Sequence, residues 1–355
     1  MKDFWLDITM DSNNTINRSL QGVYVAFWVN QCFGLVGLVL NISVFLIIIT
    51  HSILRQPFNY LILNLSFTDA LLSSAVMLNG MLDYFSISHS ISHRASSIIC
   101  YISTGLVVVS LPAACLTLLI MSIERYQAIA IVRYYKVKLS TVCKVIPIAW
   151  LLAIMTAIIP MIHASVDQDY PYQCTMGRID HFHMLVLLLA SFSITSFLPI
   201  GMMLIVYAMI FYKLMYDLSI VQPTSSLVMG RREKHSRRSI LPVLCISIFS
   251  ATSSVPYLIL SYYTFVNQYY NPLFREPFAQ KQYELWVVTA TLFILTPIVN
   301  PLLYNLASSK FRKVLYSLIC GRYYSVTHTT ATPIRRLIIN RVAIPIQNDN
   351  GNCES

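Results

Sequence analysis

The sequence predicts an all-α membrane protein, a seven-transmembrane helix bundle with a short amphipathic eighth helix. The first observation is composition, because 56% of the 355 residues are hydrophobic and only 11% are charged. Soluble domains carry about 25% charged residues, so this chain has too few charges to cover its surface and must expose much of it to lipid. The second observation is a set of long uncharged segments, and the third is where the basic residues fall between them.

The uncharged segments number seven. Six have no Asp, Glu, Lys or Arg, and the second contains Asp69 as its single charge. Each can supply the roughly 20 apolar residues that a helix needs to cross about 30 Å of hydrocarbon, and they do not alternate apolar with polar residues as barrel strands do. The segments cover residues 19–54, 56–82, 95–123, 145–166, 181–212, 239–274 and 285–309.

An odd number of spans places the two termini on opposite sides of the membrane, and the basic residues indicate which side each occupies. With the N-terminus outside, six of the 25 Lys and Arg residues fall in outer segments and the other nineteen lie inside, which satisfies the positive-inside rule. Nine acidic residues share the outer side, so its net charge is about −3, a bias that favours a cationic ligand. The basic residues lie between apolar blocks rather than on one face, which argues against a nucleic-acid partner.

This topology divides the chain into an N-terminal tail over 1–20, a seven-helix domain with its eighth helix over 21–320, and a C-terminal tail over 321–355. The first tail has no apolar core of signal-peptide type, so the first span is expected to act as its own insertion signal. Two glycosylation acceptor sequences begin at Asn13 and Asn17 in this tail. We expect the first tail outside the cell and the second in the cytoplasm.

A charge and several prolines lie inside the spans. A charged group at bilayer depth costs at least about 2.5–3.5 kcal/mol, so Asp69 either packs against Asn41 or a serine, or serves an ion or water site, and the cost favours function. Pro199, Pro256 and Pro301 fall in the fifth, sixth and seventh spans. Proline removes a helix hydrogen bond and kinks the helix, which makes these three spans natural hinges.

Two of the eight cysteines lie on the predicted outer side. Cys100 opens the third span and Cys174 lies in the loop after the fourth, an oxidising location that suits a disulfide across the mouth of the bundle. Cys320 follows the last span beside basic residues, which suits reversible palmitoylation. The cysteines within or beside spans are expected to be buried small apolar groups: Cys32, Cys115, Cys143 and Cys245.

Nine landmarks follow one another along the spans. They are Asn41, Asn64-Leu65-Ser66-Phe67-Thr68-Asp69, Cys100 with Glu124-Arg125-Tyr126, Trp150, Cys174, Pro199 with Tyr207, Pro256, and Asn300-Pro301-Leu302-Leu303-Tyr304, followed by Phe311-Arg312 at the start of the eighth helix. In this order and in these spans they resemble the landmarks of the rhodopsin-like (class A) seven-transmembrane G-protein-coupled receptors, over about residues 20–320. Nine landmarks in register make chance a negligible explanation.

The resemblance implies a plasma-membrane receptor that binds an extracellular ligand and activates a heterotrimeric G protein by helix rearrangement. Glu124 would hold Arg125 at rest, and Arg125 would meet the G protein when the sixth helix swings outward. The implied sets are Glu124, Arg125 and Tyr126 for G-protein coupling, Tyr207, Pro256, Asn300, Pro301 and Tyr304 as activation switches, and Asn41, Asp69 and Asn300 as the central polar site.

Several positions depart from the family. Its sixth span usually carries Phe and then Cys-Trp-x-Pro, whereas this chain has Ser250 and Ser253-Ser254-Val255-Pro256. The aromatic toggle under the ligand pocket is therefore missing. Relatives often place an acid at the inner end of this span, where Ser236 stands here and Glu233 lies nearly a turn away. The resting lock between the third and sixth helices is thus expected to be weak, which predicts some activity without agonist.

No cofactor is predicted. Ala114 and Thr296 occupy positions where relatives often help bind sodium, so the pattern argues against a sodium ion at Asp69. His181 and His183 resemble a metal pair, but without a nearby cysteine ordinary histidines at the membrane edge are favoured. The sequence contains no zinc-protease helix motif, phosphate-binding glycine loop or nucleophile elbow, and we therefore expect no enzyme.

The pocket predicted from the family alignment is apolar, aromatic and hydroxyl-bearing, with charges at its rim. No lysine lies between Lys281 and Lys310, which excludes a retinal pigment, and Val107 stands where amine receptors place an aspartate. A peptide with a basic or amidated end suits this pocket best, with a lipid or a chemosensory small molecule as alternatives. The pocket candidates are Thr104, Val108, Leu111, His163, Ser191, Thr195, Tyr257, Ser261, Trp286 and Ala290.

Further partners and two rival functions complete the prediction. The basic inner surface would attract anionic lipids, and serines and threonines of the C-terminal tail would be phosphorylated by a receptor kinase to recruit arrestin. A transporter would show inverted repeats or charged spans interrupted by glycine, and only Asp69 is charged within these spans. A decoy receptor that binds ligand without coupling is the other rival, since the missing toggle would be tolerated there.

Overall fold

The computed structural model describes residues 2–88, 90–130, 139–166, 174–176, 179–220, 227–270, 280–307 and 309–319. Within these ranges, seven helices are long and apolar enough to cross a membrane. The predicted fold class is therefore confirmed, and the protein is a multi-pass membrane protein of seven spans with a short helix after the last one.

Most helices extend beyond the ends of the uncharged segments. A charge marks where the chain leaves the hydrocarbon, but it does not end a helix, so several helices continue past it. The first four spans are Lys2–Thr50, Pro57–Ile87, His93–Ala130 and Leu139–His163. The fifth is Phe182–Phe192, a π-helical turn Ser193–Phe197 and Leu198–Ile220; the sixth is Leu227–Tyr270; the seventh is Gln280–Ile294 and Thr296–Ala307.

The first helix begins at Lys2, so the backbone of the predicted N-terminal tail continues the helix of the first span. Asn13 and Asn17 lie in this stretch. A 3-10 turn at Ser52–Leu54 then connects to the second span, where Pro57 stands at the start of the helix. Proline is tolerated there because the first helical N–H groups have no intrahelical acceptor.

The third span lies at the centre of the bundle. It packs against the second and fourth spans, against Leu198–Ile220 of the fifth, and against the sixth. The sixth and seventh spans pack along each other, and the seventh closes the bundle against the first and second. In the third span, Cys100 lies near the start of the helix and Arg125 near its end. The two residues are 25 positions apart, or about 38 Å at 1.5 Å per residue. We call the two ends of the bundle the disulfide end and the arginine end.

A short antiparallel hairpin lies at the disulfide end, formed by Ala164–Val166 and Cys174–Met176. The uncharged fourth segment was predicted to run to residue 166, but the helix ends at His163 and the last three residues are a strand. The pairing partner lies beyond a separate stretch of chain, with Val166 opposite Cys174. Periodicity within one segment carries no information about such a distant partner.

Three prolines in the spans disturb helices in different ways. Pro199 follows a π-helical turn, Pro256 lies inside a continuous helix, and Pro301 lies inside Thr296–Ala307. The seventh helix is interrupted six residues before Pro301, at Leu295, whose carbonyl accepts hydrogen bonds from Ile298 and Val299. Of the three kinks expected from the sequence, the first lies at a π-helical turn, the second falls in a helix that continues through Pro256, and the third lies near a break in the helix at Leu295.

The chain consists of two compact units, Met1–Arg312 and Lys313–Ser355. The boundary falls inside the short helix Ser309–Ile319. This helix is the predicted eighth helix, and apolar and basic residues alternate along it with helical spacing, as in an amphipathic helix. Of the second unit the structure describes residues 313–319.

The prediction of buried cysteines is wrong for three of the four. Cys115 is buried, whereas Cys32, Cys143 and Cys245 are exposed on the surface of the bundle. They share this surface with large exposed hydrophobic side chains of the same spans, such as Ile148 and Ile248. In a membrane protein this surface faces lipid, so an apolar side chain gains nothing by turning inward.

Candidate functional site

The disulfide end is held together covalently. Cys100 and Cys174 form a disulfide across 74 residues of sequence, with a Cα–Cα distance of 5.3 Å. Around it, Leu82 of the second span and Ala164 of the hairpin form a buried cluster with Cys100. The predicted disulfide is therefore present, and it ties the hairpin to the start of the third span.

Several pocket candidates lie beneath the hairpin, in the halves of their spans that face the disulfide end. The Thr104 hydroxyl is 3.6 Å from the Cys174 sulfur, and Val108 and Leu111 follow on the same helix and are buried. His163 is half-buried at the end of the fourth span, where a ring nitrogen contacts the Ile159 carbonyl at 2.9 Å.

The fifth-span candidates are engaged within and across helices. Ser191 donates to the Leu188 carbonyl at 2.8 Å. Thr195, in the π-helical turn, donates to the Ser191 carbonyl at 2.8 Å and contacts the Thr156 hydroxyl at 3.2 Å. These hydroxyls are thus placed between the fourth and fifth spans, where a ligand group would have to compete with an existing partner.

The sixth- and seventh-span candidates lie around an aromatic pair. The Tyr257 ring stacks on the ring of Phe293, with centroids 4.7 Å apart and planes 9° from parallel. Ser261 is half-buried one turn above Tyr257 and donates to its carbonyl at 2.8 Å. Ala290 is half-buried. The side chain of Trp286 lies outside the described part of the structure.

A small cavity lies on the arginine side of this aromatic pair. It offers about 20 Å³ for the centres of water molecules, enough for about one water. Its wall combines apolar side chains of the third, fifth and seventh spans with hydroxyl, amide and carboxyl groups. The polar residues of the wall are Thr68, Asp69, Ser110, Ser250, Ser254, Thr296 and Asn300. Leu111 is the pocket candidate that lines it.

The central polar site lies at the bottom of this cavity. Asn300 donates to the Asp69 carboxylate at 2.9 Å, and both residues are buried. Asn41 donates to the carbonyls of Pro297 at 2.7 Å and Gly37 at 2.8 Å. The structure thus brings Asp69 and Asn300 together, and Asn41 joins them through the backbone of the seventh span. A carboxylate can accept several hydrogen bonds, so the Asp69 carboxylate can also accept one from a water molecule.

Tyr304 completes this site from the seventh span. Its side chain is fully buried, and its hydroxyl interacts with the Asp69 carboxyl group. The adjacent Pro301 is also buried. The seventh span therefore contributes two polar side chains to the environment of Asp69, those of Asn300 and Tyr304.

The arginine end carries an ion pair between neighbouring residues. The Arg125 Nε atom lies 2.8 Å from the Glu124 carboxylate, and the two side chains are 14% and 16% exposed. The guanidinium carbon also lies 3.6 Å from the centre of the Phe58 ring. Arg125 is thus held between a carboxylate and an aromatic face, and Tyr126 beside it is half-buried.

Tyr207 is turned toward the sixth span. Its hydroxyl lies 2.9 Å from the Ser247 hydroxyl and 3.4 Å from the Val243 carbonyl. The side chain is 6% exposed. The Tyr207 hydroxyl therefore joins the fifth span to the sixth near the arginine end through these two contacts, and hydrogen bonds of this kind are broken and reformed at small cost.

Sequence analysis assigned no functional role to several residues that the structure brings to these sites. Phe58 stacks on Arg125 and Phe293 on Tyr257. Apolar residues in apolar segments give no signal by which one can be singled out, so neither could be found from the sequence. Ser247 is different, since a serine in a hydrophobic span is a polar group that needs a partner.

Asn64 and Trp150 were recognised as landmarks without a stated contact. The Asn64 amide donates to the Thr117 hydroxyl at 2.7 Å, and its oxygen accepts from the Trp150 ring nitrogen at 2.8 Å. One side chain of the second span therefore joins the third and fourth spans. Their sequence separations of 53 and 86 residues explain why the pairing was not predicted.

Other predicted residues fall outside what the structure describes. These are Cys320 and the C-terminal tail over 321–355, and the side chains of Asn13, Asn17, Glu233 and Ser236. Among the described residues, no group of three or more His, Cys, Asp or Glu side chains could hold a metal ion. The rings of His181 and His183 stack at 5.3 Å and are exposed.

Comparison with known proteins accounts for this arrangement. Residues 40–304 match the family described as 7 transmembrane receptor (rhodopsin family). The chain belongs to this family. The resemblance drawn from its landmark residues is confirmed, and since the family consists of signalling receptors, the protein is not an enzyme.

The relatives found are receptors named for peptides. Neuromedin-U receptor 2 of Rattus norvegicus is 25% identical over 299 residues, which cover 80% of this chain and 72% of the relative. Neuromedin-U receptor 2 of Homo sapiens is 24% identical over 325 residues, 88% of this chain and 74% of the relative. Tachykinin-like peptides receptor 99D of Drosophila melanogaster is 25% identical over 291 residues, 77% of this chain and 52% of the relative.

Proposed function

We propose that the protein is a plasma-membrane receptor that binds an extracellular peptide at its disulfide end and activates a heterotrimeric G protein at its arginine end. The N-terminal tail over 1–20 then lies outside the cell and the C-terminal tail over 321–355 in the cytoplasm. The positive-inside distribution supports this orientation, since nineteen of the 25 basic residues fall on the arginine side.

The observation that carries the proposal is the state of Arg125. A guanidinium has five N–H donors, and here the carboxylate of Glu124 and the ring of Phe58 engage only part of it. An ion pair between partly exposed side chains contributes only about 0–1 kcal/mol, so its presence at the end of a span calls for another purpose. Released from Glu124, Arg125 can donate to carbonyl groups of a protein that enters between the third and sixth spans.

The contacts between spans suggest how a ligand reaches Arg125. Ligand that prefers the open bundle shifts the population toward it, and a shift from 1:99 to 99:1 requires about 5.5 kcal/mol of differential affinity. The contacts that would exchange are hydroxyl and amide bonds: Tyr207 with Ser247, and Asn300 with Asp69. Each such bond contributes about 1 kcal/mol, so the differential affinity of a ligand for the open bundle can outweigh a few of them together.

A peptide is supported by two independent observations. Relatives along most of the chain are named for neuromedin U and for tachykinin-like peptides, and the predicted outer segments hold nine acidic and six basic residues. An acidic entrance above a pocket of apolar and hydroxyl side chains suits a cationic peptide with an apolar end. A lipid or a chemosensory small molecule would occupy the pocket but would gain nothing from an acidic entrance.

Several modifications belong to the same proposal. Asn13 and Asn17 would carry glycans outside the cell, and Cys320 would be palmitoylated inside it. Phosphorylation of the C-terminal tail by a receptor kinase would add about −1.5 to −2 charges per site and recruit arrestin. Anionic lipids would contact the basic arginine side.

The test is nucleotide exchange on a promiscuous heterotrimeric G protein by the full chain in lipid nanodiscs. Synthetic neuromedin-U and tachykinin-like peptides are added, together with a wider library of cationic amidated peptides and a lipid panel. We expect a peptide to raise exchange, Arg125→Ala to abolish the response, and Arg55→Ala, a matched exposed arginine near the same end, to preserve it. A response confined to the lipid panel would contradict the peptide assignment, and one that survives Arg125→Ala would contradict the role of Arg125.

Orientation needs a separate measurement. Epitopes placed at each terminus are stained in intact and permeabilised cells, and Asn13→Gln with Asn17→Gln is compared with the parent chain by gel mobility after glycosidase. We expect the N-terminal epitope to be stained in intact cells and the double variant to lose the mobility shift. Staining of the C-terminal epitope in intact cells would overturn the proposed topology.

A further inference from the structure

We propose that Phe293 of the seventh span is the aromatic floor of the ligand pocket, and that its stack with Tyr257 holds the sixth span in the resting arrangement. The sixth span itself contributes no aromatic ring to the cavity, because Ser250 and Ser254 are the polar side chains with which it lines the wall. The inference rests on the proposed receptor function and names the residue that conveys ligand binding to the polar core.

The position of Phe293 is the first support. Its side chain is 4% exposed, and it lines the cavity that also contains Ser254, Asp69 and Asn300. The ring thus lies between the pocket candidates on the disulfide side and the polar site on the arginine side. A ligand group that enters from the disulfide end meets this ring before it meets Asp69.

The contacts on either side of Pro256 are the second support. Tyr257, directly after the proline, stacks on Phe293 at 4.7 Å and 9°. Ser253, three residues before the proline, contacts the Thr296 hydroxyl at 3.0 Å. Because Ser253 and Tyr257 are four residues apart, they lie on one face of the helix, and the sixth and seventh spans are joined by two contacts that bracket the proline.

Because these two contacts lie on either side of Pro256, the stack of Tyr257 on Phe293 affects how easily the sixth span bends at this proline. Proline removes a backbone hydrogen bond, so the helix pivots at Pro256 more easily than elsewhere. Tyr257 directly follows the pivot, so a rotation of the sixth span that carries its arginine end outward and includes the turn around Pro256 tilts the Tyr257 ring relative to Phe293. Parallel aromatic rings in contact lose their interaction when they are tilted or separated, so the stack opposes the pivot.

The state of the remaining contacts shows which arrangement the stack stabilises. With the rings stacked, Arg125 is paired with Glu124 and Tyr207 contacts Ser247. The buried Ser250 hydroxyl has no partner in the described residues. In this structure the stack therefore accompanies an arginine end in which both contacts are made, and the hydroxyl-lined cavity beneath Phe293 leaves room for a small shift of the ring.

The experiment measures the sixth span directly, without ligand or G protein. Spin labels are placed at Ala128→Cys and Ser239→Cys in the full chain, with the free cysteines replaced by serine and the Cys100–Cys174 disulfide retained. Distances between the labels are recorded in lipid nanodiscs by pulsed electron resonance. We compare the parent with Phe293→Ala, with Tyr257→Ala and with the double variant, and use Phe192→Ala as a matched buried aromatic in the fifth span.

We expect each single variant to raise the ratio of the long-distance to the short-distance population about three- to tenfold, the range of one aromatic pair. The double variant should add little to either single one, because the same contact is removed. Tyr257→Phe should behave as the parent, since the ring remains, and Phe192→Ala should leave the distances unchanged. Phe293→Ala with Ser254→Trp should restore the short distance, because an aromatic ring again fills the space.

Unchanged distances in Phe293→Ala, or the same change in Phe192→Ala, would overturn the inference. Thermal melting of each variant is recorded alongside, and for a variant that does not fold, Phe293→Leu takes the place of Phe293→Ala and is judged by the same criterion. Since the measurement needs neither peptide nor G protein, its failure is distinguishable from a failure of the proposed function, which is judged by nucleotide exchange.

Discussion

The two ends of the bundle are held together by different kinds of interaction. At the disulfide end, a covalent bond joins the third span to the hairpin, and the rings of Phe27 and Tyr84 stack at 4.5 Å between the first and second spans. At the arginine end, an ion pair and a hydroxyl contact hold the side chains that matter most, Arg125 and Tyr207.

This difference separates a fixed end from a changeable one. A disulfide does not open on the timescale of signalling, whereas hydrogen bonds that contribute about 1 kcal/mol exchange readily. The disulfide end can therefore keep the shape of a binding pocket while the arginine end rearranges. The predictions that follow remove contacts from each end and from the polar site between them.

The largest effect is expected at the disulfide. Cys174→Ser should lower the free energy of unfolding by about 2–4 kcal/mol, the usual contribution of a native disulfide, and reduce surface expression. Cys143→Ser, at an exposed free cysteine, is the control and should melt as the parent does. A Cys100→Ser and Cys174→Ser double variant much less stable than the single one would show that the thiols have other roles.

The polar site between the ends should give the next largest effect. Asn300→Ala leaves the buried Asp69 carboxylate without its 2.9 Å donor, and an unsatisfied buried group costs about 1–3 kcal/mol. Thermal melting should show this loss, and nucleotide exchange should fall. Asn267→Ala, whose amide donates to the Tyr263 carbonyl of its own helix, should leave both unchanged. Equal losses in the two variants would contradict a special role for Asn300.

Much of the fold could be predicted from the sequence, because a membrane makes composition informative. A charge within a span is costly enough that uncharged segments mark the helices, and the one exception, Asp69, proved to be the centre of a buried polar site. The ends of the helices were less predictable. The backbone is fully hydrogen-bonded in a helix on either side of the membrane surface, so Lys2–Thr50 continues through charged residues.

The candidate site was predictable where a polar residue had no other reason to be present. Asp69 was singled out in this way, and the resemblance added Glu124, Arg125, Tyr207 and Asn300. The structure pairs Glu124 with Arg125 and Asn300 with Asp69, whereas the contact of Tyr207 with Ser247 was not predicted. The stack of Phe293 on Tyr257 was not predictable, because a phenylalanine in a hydrophobic span has the same pattern whether it faces lipid or the core. The sequence showed that Ser254 stands where the family has an aromatic residue, but it did not show which span supplies an aromatic ring to that space.

A smaller effect is expected where Asn64 joins three spans. Asn64→Leu removes the bonds to Thr117 and Trp150 and should cost about 1–2 kcal/mol of unfolding free energy. Trp150→Phe should cost about half as much, since one bond is lost. In the double variant the losses should not add, because both remove the same contact. Full additivity in thermal melting would mean that this contact contributes nothing.

The smallest effect on stability, but a visible one on activity, is expected at Phe58. Its ring faces the Arg125 guanidinium, an interaction of about 0.5–1 kcal/mol at a partly exposed site. Phe58→Leu should barely change the melting temperature and should raise ligand-free nucleotide exchange about twofold to fivefold. Phe85→Leu, an exposed aromatic near the other end of the same helix, should leave exchange unchanged. A fall in exchange would show that Phe58 supports the active arrangement instead.

The central claim, that one end is fixed and the other changes, is tested most directly by measuring both ends in one protein. Spin-label pairs on the third and sixth spans, one near each end, are compared with and without nucleotide-free G protein. We expect the distance at the arginine end to lengthen and the distance at the disulfide end to stay within the spread of the free protein. Equal movement at both ends, or none at the arginine end with G protein bound, would contradict the account.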